Sequence, residues 1–398
     1  MGPFFCRLAD YLAAHGANAS KVNFNGGDEH FYRRPGAHRY AGDLAGWPAW
    51  LRRLIEAERS DGMVLFGQSR PVHRCAIDMA EELSIPVFVF EEGYIRPNYV
   101  TLELGGVNGR SSLPRDPKYY REGPYPRLTR PKDTNQTFAR MAWYATRYAT
   151  ATFVLQWRYP NNLHHRDLSG AEAMRWVRGG CRKVWFALRE RNLLDHLASP
   201  EQSKRWFLLA LQVHNDSQLI EHSPYSDVPE VIHEVMDSFA VHSPPATSLV
   251  IKHHPMERAH RDYSGLINDL ARKLDLRERV LYVHDLHLPT LLKHARGVVT
   301  VNSTTGLQAM YHGTPVCVMG DSLYALPGLV HFGGLKTFWH SPGEVDLALF
   351  RRFRAQVVKL TQINASFYAE APALVQPQVD VEPASQGVVI RQQKARGA

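Results

Sequence analysis

Short apolar runs closed by polar or glycine-rich breaks alternate along this chain with stretches in which apolar residues return every three or four positions. The runs read as buried strands and the stretches as amphipathic helices. Phe5, Leu8 and Leu12 predict a helix, Lys21 to Phe24 a short strand, and Gly26-Gly27-Asp28 a polar loop. A helix is expected near Pro48 to Glu56, a strand over Met63 to Gly67, a helix over Pro71 to Leu83 and a strand over Pro86 to Phe90. Arg96 to Arg115, rich in Pro, Asn and Gly, reads as a long loop. Helices are expected over Gln136 to Trp157 and Ala171 to Arg191.

A second series follows. Its strands are Trp206 to Val213, Ser248 to Ile251, Val280 to Val283, Gly297 to Val301 and Pro315 to Val318. Its helices fall near Pro229 to Phe239, Tyr263 to Leu274, Leu288 to His294 and Gly306 to His312, with a last one over Glu344 to Tyr368. From Glu370 the Pro- and Gln-rich tail reads as disordered.

This alternation argues for an α/β fold with parallel, doubly wound sheets. The economical architecture is two Rossmann-like domains facing a cleft, residues 1–115 and 201–343. Between them lies a helical, basic and aromatic insertion or linker, 116–200, and after them a C-terminal helix, 344–369, and a tail, 370–398. Gly2-Pro3 ahead of a helix resembles the loop after a strand, so the fold either begins at that helix or expects a strand ahead of Gly2. There is no G-x-G-x-x-G and no Walker A stretch, so dinucleotide or ATP folds of those types are unsupported.

Charge changes the picture in one region. The net charge is +8, and residues 117–190 carry fourteen Lys or Arg against five acids, interleaved with aromatics such as Tyr119, Trp143, Trp157, Trp176 and Trp185. Three readings stand: helices that pack the two domains together, a surface that sits on anionic lipid, or a single-stranded nucleic-acid site. No recognised nucleic-acid motif accompanies the third. The four Cys (Cys6, Cys75, Cys181, Cys317) form no CxxC pair, which argues for a reducing compartment and against zinc. No run approaches a membrane span and no signal peptide opens the chain. The expectation is a cytoplasmic protein, peripheral on a membrane, without a catalytic metal.

Candidate chemistry gathers at three strand ends, where ligands of open α/β sheets sit. Lys252, His253, His254 and Pro255 close one strand. A Lys and a His there neutralise a phosphate, and a His can protonate a leaving one. Asn302, Ser303, Thr304, Thr305 and Gly306 lie between a strand and a helix, where hydroxyls and free N–H groups suit an anion, or merely cap the helix. Glu91 and Glu92 follow a third run and suit acid/base work or sugar hydroxyls; the plainer reading is a solvated turn. Asp216, just after the strand that starts at Trp206, suits a nucleophile, a hydroxyl anchor or an ordinary helix cap.

Several of these stretches together resemble the capsule polysaccharide biosynthesis family, in particular its KpsS/LipB-type members. They are Gly2-Pro3-Phe4-Phe5, Lys21 to Asp28, Glu91-Glu92-Gly93-Tyr94-Ile95-Arg96-Pro97, Thr101-Leu102-Glu103, Gln212 with Asp216-Ser217, His254-Pro255 and Asn302 to Gly306. Members of that family usually have a strand ahead of the Gly-Pro-Phe-Phe stretch. The resemblance implies a retaining glycosyltransferase of the two-domain B-type (GT-B) fold. Its donor is CMP-Kdo, the cytidylate of an eight-carbon acidic sugar, held on 201–343. Its acceptor is a (lyso)phosphatidylglycerol lipid, on the 1–115 side. The product is the first β-Kdo of the capsule linker at the inner membrane. A second Kdo transferase and the capsule export transporter come with the resemblance as partners. Glu-Glu-Gly and His-Pro also resemble stretches of bacterial sialyltransferases, which implies a phosphate-facing role for His254 with Ser303 and Thr304 assisting. Retention is most simply reached by two displacements, with Asp216 as nucleophile and Glu91 or Glu92 as acid/base. Rival readings are another CMP-sugar (sialyl-type) transferase and a non-catalytic capsule export adaptor.

Overall fold

The computed structural model of the protein describes residues 2–161, 163, 170–214 and 216–369. The expected disordered tail, 370–398, lies outside the described residues. In chain order the elements are α1 (Phe4–Ala14), β1 (Lys21–Asn23), α2 (Gly26–Phe31), β2 (Ala37–Arg39), α3 (Trp47–Glu58), β3 (Met63–Phe66), α4 (Pro71–Glu82), β4 (Val87–Glu92) and β5 (Val100–Leu104). The helical stretch holds α5 (Pro117–Glu122), α6 (Phe138–Val154), α7 (Gly170–Arg189) and α8 (Leu193–Ala198). Then come β6 (Trp206–Ala210), α9 (Ser217–Glu221), α10 (Val228–His242), β7 (Ser248–Lys252), α11 (Ser264–Lys273), β8 (Val280–Val283), α12 (Leu288–His294), β9 (Gly297–Thr300), α13 (Thr305–Tyr311) and β10 (Val316–Val318). Last are α14 (Gly334–Phe338), α15 (Leu347–Thr361) and β11 (Gln362–Ile363).

The second sheet is a five-stranded parallel sheet in the order β10-β9-β6-β7-β8. Every residue of β6 and β9 is buried. Helices cover both faces, which is why these strands read as continuous apolar runs. α10 lays Val228, Val231, Ile232, Val235, Met236 and Phe239 on one face. The register pairs Ala210 with Lys252, Lys252 with Val283 and Leu209 with Val299. The carboxyl ends of four strands therefore stand in one row, and the polar residues after them share one edge.

The first sheet departs from expectation. It has four strands in the order β11-β5-β4-β3, and only β3–β4 is parallel. The stretch read as a loop over 96–115 contains β5, a short run bounded by Asn98 and by Gly105, which sits at φ +86°. β4 runs two residues further than expected, so Glu91 and Glu92 are its last residues, paired with Thr101 and Val100. The last helix stops at Thr361, because Gln362 and Ile363 pair with β5.

Gly26-Gly27-Asp28 is helix, not loop. Asn25 caps α2 by accepting the Asp28 N–H at 3.0 Å, and the two glycines let α6 approach. A Cβ at Gly26 would stand 2.3 Å from the Ala151 carbonyl oxygen, and one at Gly27 2.6 Å from the Tyr148 ring. β1 and β2 form a separate parallel pair. Among the described residues β3 pairs with β4 alone and β1 with β2 alone. A cavity of about 310 Å³ lies beside both strands, lined by Lys21 and Val22 of β1 and all four residues of β3.

Candidate functional site

The row of strand ends in the second sheet meets the end of β4 across a cleft of about 630 Å³. The cleft is lined by Glu91 and Glu92 from β4 and by Gln212, Asp216, Lys252, His254, Pro255, Asn302, Ser303, Thr304 and Thr305 from the second half. Of the residues expected at the site, Gly306 is absent from this lining. It is buried in α13, where a Cβ would stand 2.4 Å from the Tyr324 hydroxyl. Glycine there serves packing.

β6 ends at Ala210, three residues sooner than expected, and Leu211–Val213 lead as coil into a short turn. Asp216 is both a cap and a cleft residue. Its Oδ1 accepts the Gln218 N–H at 3.0 Å, capping α9. Its Oδ2 accepts from Gln212 Nε2 at 3.2 Å. The same amide donates to Asn302 Oδ1 at 3.0 Å, and Asn302 Nδ2 donates to the Gln218 carbonyl at 2.7 Å. This network joins the ends of β6 and β9 and fixes the carboxylate against rotation.

Glu91 is half-buried. Burial, with the neighbouring charges of Glu92 and Asp216, pushes its carboxyl up to about 6, although its Oε1 accepts the Glu92 N–H at 3.1 Å. Glu91 and Asp216 thus come from different sheets and feel each other's charge.

The Lys-His-His-Pro turn divides its work. Lys252 is buried, and its Nζ donates to the His284 carbonyl at 3.2 Å. Burial and the nearby Arg258 lower its ammonium to about 8. His253 turns away from the solvent and takes a 2.5 Å bond with the Tyr282 hydroxyl. Burial, then the charges of Lys252, Arg96 and Arg258, lower His254 to about 4. Its Nδ1 accepts the Met256 N–H at 3.2 Å, so the neutral ring carries its proton on Nε2. The expectation that His254 protonates a leaving phosphate is corrected on this point: in the free protein the ring is a neutral hydrogen-bond donor. Burial beside three cations disfavours an imidazolium.

The hydroxyls after β9 are linked. Ser303 Oγ donates to Thr305 Oγ1 at 3.1 Å and accepts the Thr305 N–H at 3.2 Å. Thr304 precedes α13 without capping it and lines the cleft. Among the described residues no three His, Cys, Asp or Glu side chains converge as metal ligands do. No helix among them is long and apolar enough to cross a membrane.

The sequence profile of the family described as capsule polysaccharide biosynthesis protein matches residues 61–368. The chain belongs to that family. It is 42% identical over 377 residues to the capsule polysaccharide export protein KpsS of Escherichia coli, which covers 92% of this chain and 95% of the relative. It is 36% identical over 379 residues to the capsule polysaccharide modification protein LipB of Neisseria meningitidis serogroup B, covering 93% and 90%. Among solved structures it is similar to KpsC of Thermosulfurimonas dismutans, a beta Kdo 2,7 transferase, with a TM-score of 0.41 and 15% identity over 83% of this chain and 85% of that one.

In this capsule-family chain sequence reasoning passed over three further contributors. Arg96 and Arg258 line the cleft, and Arg258 is paired with Asp285. Glu190, beyond the end of α7, accepts the backbone N–H groups of His284 at 2.9 Å and Asp285 at 2.9 Å and pairs with His284 Nδ1 at 3.0 Å. Burial pushes that carboxyl up, but these hydrogen bonds outweigh it and hold Glu190 below its ordinary value. Glu190 thereby fixes the loop after β8 against the cleft. Nothing in the sequence marks it, since its partner lies more than ninety residues away.

Proposed function

We propose that this protein is a retaining β-Kdo transferase. It would move Kdo from CMP-Kdo to a (lyso)phosphatidylglycerol lipid and so start the linker of a capsular polysaccharide. The observation that carries the reading is the meeting of Glu91 and Asp216, from two different sheets, in a cleft that also holds Lys252, His254 and three hydroxyl residues. A cleft between two sheets suits a two-domain, B-type transferase, which would bring donor and acceptor together between its halves.

In this reading the cytidylate phosphate lies against the Lys252 ammonium, the His254 Nε2–H and the hydroxyls of Ser303, Thr304 and Thr305. Pro255 and Asn302 shape the turns that present them. Asp216 attacks the anomeric carbon of Kdo. The bond from that carbon to the phosphate oxygen breaks, and CMP leaves with the electron pair. Charge neutralisation by Lys252 and hydrogen bonds from His254 and the hydroxyls stabilise the departing group, and the proposal assigns no part to a metal ion. Glu91 then takes the proton of the lipid hydroxyl, whose oxygen attacks the same carbon and releases Asp216. Two inversions give retention. Glu91 is preferred to Glu92 as acid/base because its raised pKa lies near working pH.

The test is incubation of the protein with CMP-Kdo and a fluorescent lysophosphatidylglycerol, read by mass spectrometry, with His254→Ala beside it. Gain of one Kdo, lost in the variant, is expected. CMP-sialic acid in place of CMP-Kdo distinguishes the sialyl-type rival. The name of the Escherichia coli relative, an export protein, favours a second reading as a capsule export adaptor. Absence of transfer together with tight binding of preformed capsule glycolipid would move the assignment there.

A further inference from the structure

α7 touches the rest of the protein along one narrow stripe. From Met174 to Glu190 only Gly179, Arg182, Phe186 and Glu190 are withdrawn from solvent. A Cβ at Gly179 would stand 3.2 Å from Ala259, Arg182 donates to the Arg258 carbonyl at 3.0 Å, and Phe186 stacks on His284 at 3.6 Å. At 3.6 residues per turn, the side directly opposite carries Met174, Val177, Cys181, Val184, Trp185 and Leu188, all exposed. A surface helix ordinarily buries its apolar side. This one turns that side outward.

α6 repeats the arrangement. Tyr144, Tyr148 and Thr152 face the protein. Phe138, Trp143, Phe153 and Val154 point away, exposed by 76%, 60%, 75% and 60%, and Trp157 just beyond is exposed by 80%. The Lys183 ammonium lies 6.0 Å from the centre of the Phe138 ring, so the two helices meet along their flanks. Neither face carries an acid. α6 holds Arg140 and Arg147, and α7 from Met174 onward holds the exposed Arg175, Lys183 and Arg189, whereas Arg178 and Arg182 reach inward to the Ala259 and Arg258 carbonyls. An apolar strip flanked by cations, with tryptophans at its margins, fits the boundary between anionic headgroups and acyl chains.

We propose that the outward faces of α6 and α7 form one surface that lies on an anionic phospholipid membrane. The charge match selects this occupant over a neutral bilayer, at about tenfold in affinity for every one to two basic residues near the surface. The inner stripe of α7 grips the loops after β7 and β8, so the docked surface holds the cleft beside the membrane. That last consequence rests on the transferase reading, whereas membrane binding does not.

The test is sedimentation of the full chain with vesicles of phosphatidylcholine alone and of phosphatidylcholine mixed with phosphatidylglycerol, for wild type and for the double variant Val184→Glu, Leu188→Glu. Both residues are exposed, so an unchanged melting temperature certifies the fold. Binding to the mixed vesicles alone, weakened by salt, with a blue shift of tryptophan emission and at least a tenfold loss in the variant, is expected. Absence of wild-type binding, equal binding by the variant, or self-association that the substitutions dissolve would each overturn the proposal. Transfer to a short-chain soluble acceptor, measured on both proteins, reports on the reaction separately: its absence in both defeats the transferase reading and leaves the membrane surface standing.

Discussion

The carboxylate of Asp216 accepts a hydrogen bond from the side-chain amide of Gln212 at 3.2 Å, while its other oxygen caps a helix at 3.0 Å. The helix cap and the proposed nucleophile are one residue, and substitution can separate the two roles. Asparagine caps a helix about as well as aspartate, whereas alanine costs about 1 kcal/mol. Asp216→Asn is therefore expected to melt within a degree or two of wild type and to bind CMP normally, yet to form no covalent sugar adduct by mass spectrometry. Asp216→Ala loses the adduct and melts lower. An adduct in Asp216→Asn removes Asp216 from the mechanism.

Glu91 is expected to govern the acid limb of activity. As a base it must be ionised, so transfer rises with pH through about 6. Its stability effect has the opposite sign. The folded-state pKa is raised, so the folded protein holds this proton more tightly than the unfolded chain, and stability falls as pH climbs from about 4.5 to about 6. Glu91→Gln is expected to abolish transfer, to melt with wild type at pH 4, and to gain about 1–2 kcal/mol at pH 8. Urea titrations at the two pH values check this.

Lys252 sets a limit on the alkaline side. Its ammonium is lowered to about 8, so affinity for CMP is expected to fall as pH rises through that value. Lys252→Met removes the dependence and weakens CMP about 10- to 100-fold, the range of one charge-assisted hydrogen bond. Calorimetric titration between pH 6 and 9 measures both. A pH-independent affinity in wild type takes the phosphate away from Lys252.

Two glycines should respond oppositely to alanine. Gly27→Ala sets a methyl group 2.6 Å from the Tyr148 ring and is expected to cost about 1–3 kcal/mol. Gly180 has nothing within 4 Å and sits mid-helix, so Gly180→Ala is expected to add up to about 1 kcal/mol. Thermal melts of the two variants decide it.

Among the described residues β1 and β3 each keep one edge without a strand partner, and both line the cavity of about 310 Å³, which suits an added strand. An apolar strand matched to the four residues of β3, fused ahead of Gly2, is expected to raise the melting temperature by about 1 °C for each kcal/mol it contributes. A control of Ser and Asp in the same positions leaves the melt unchanged. Equal melts for both fusions would show that the edges do not accept a strand.

The parallel sheet of the second half was legible in the chain because its strands are buried on both faces and so read as unbroken apolar runs ending in Lys252, Asn302 and the turn before Asp216. β5 was not legible. The five residues of Val100–Leu104 carry too little periodicity, and β5 exists because β4 and, from the far end of the chain, β11 pair with it. The same holds within the site. Residue type and position at a strand end singled out Glu91, Asp216, Lys252, His254 and Ser303. Their electrostatic state depends on what lies nearby in space. His254 is neutral because burial and then the charges of Lys252, Arg96 and Arg258 act on a half-buried ring, and Glu91 is raised because burial and the charges of Glu92 and Asp216 act on it. Composition alone established that 117–190 is basic and aromatic. Which side of α6 and α7 faces out was decided by Gly26 and Gly27 admitting α6 and by Glu190 anchoring the end of α7. Local pattern specifies elements and their chemistry, whereas burial, charge proximity and exposed faces arise only when distant segments are brought together.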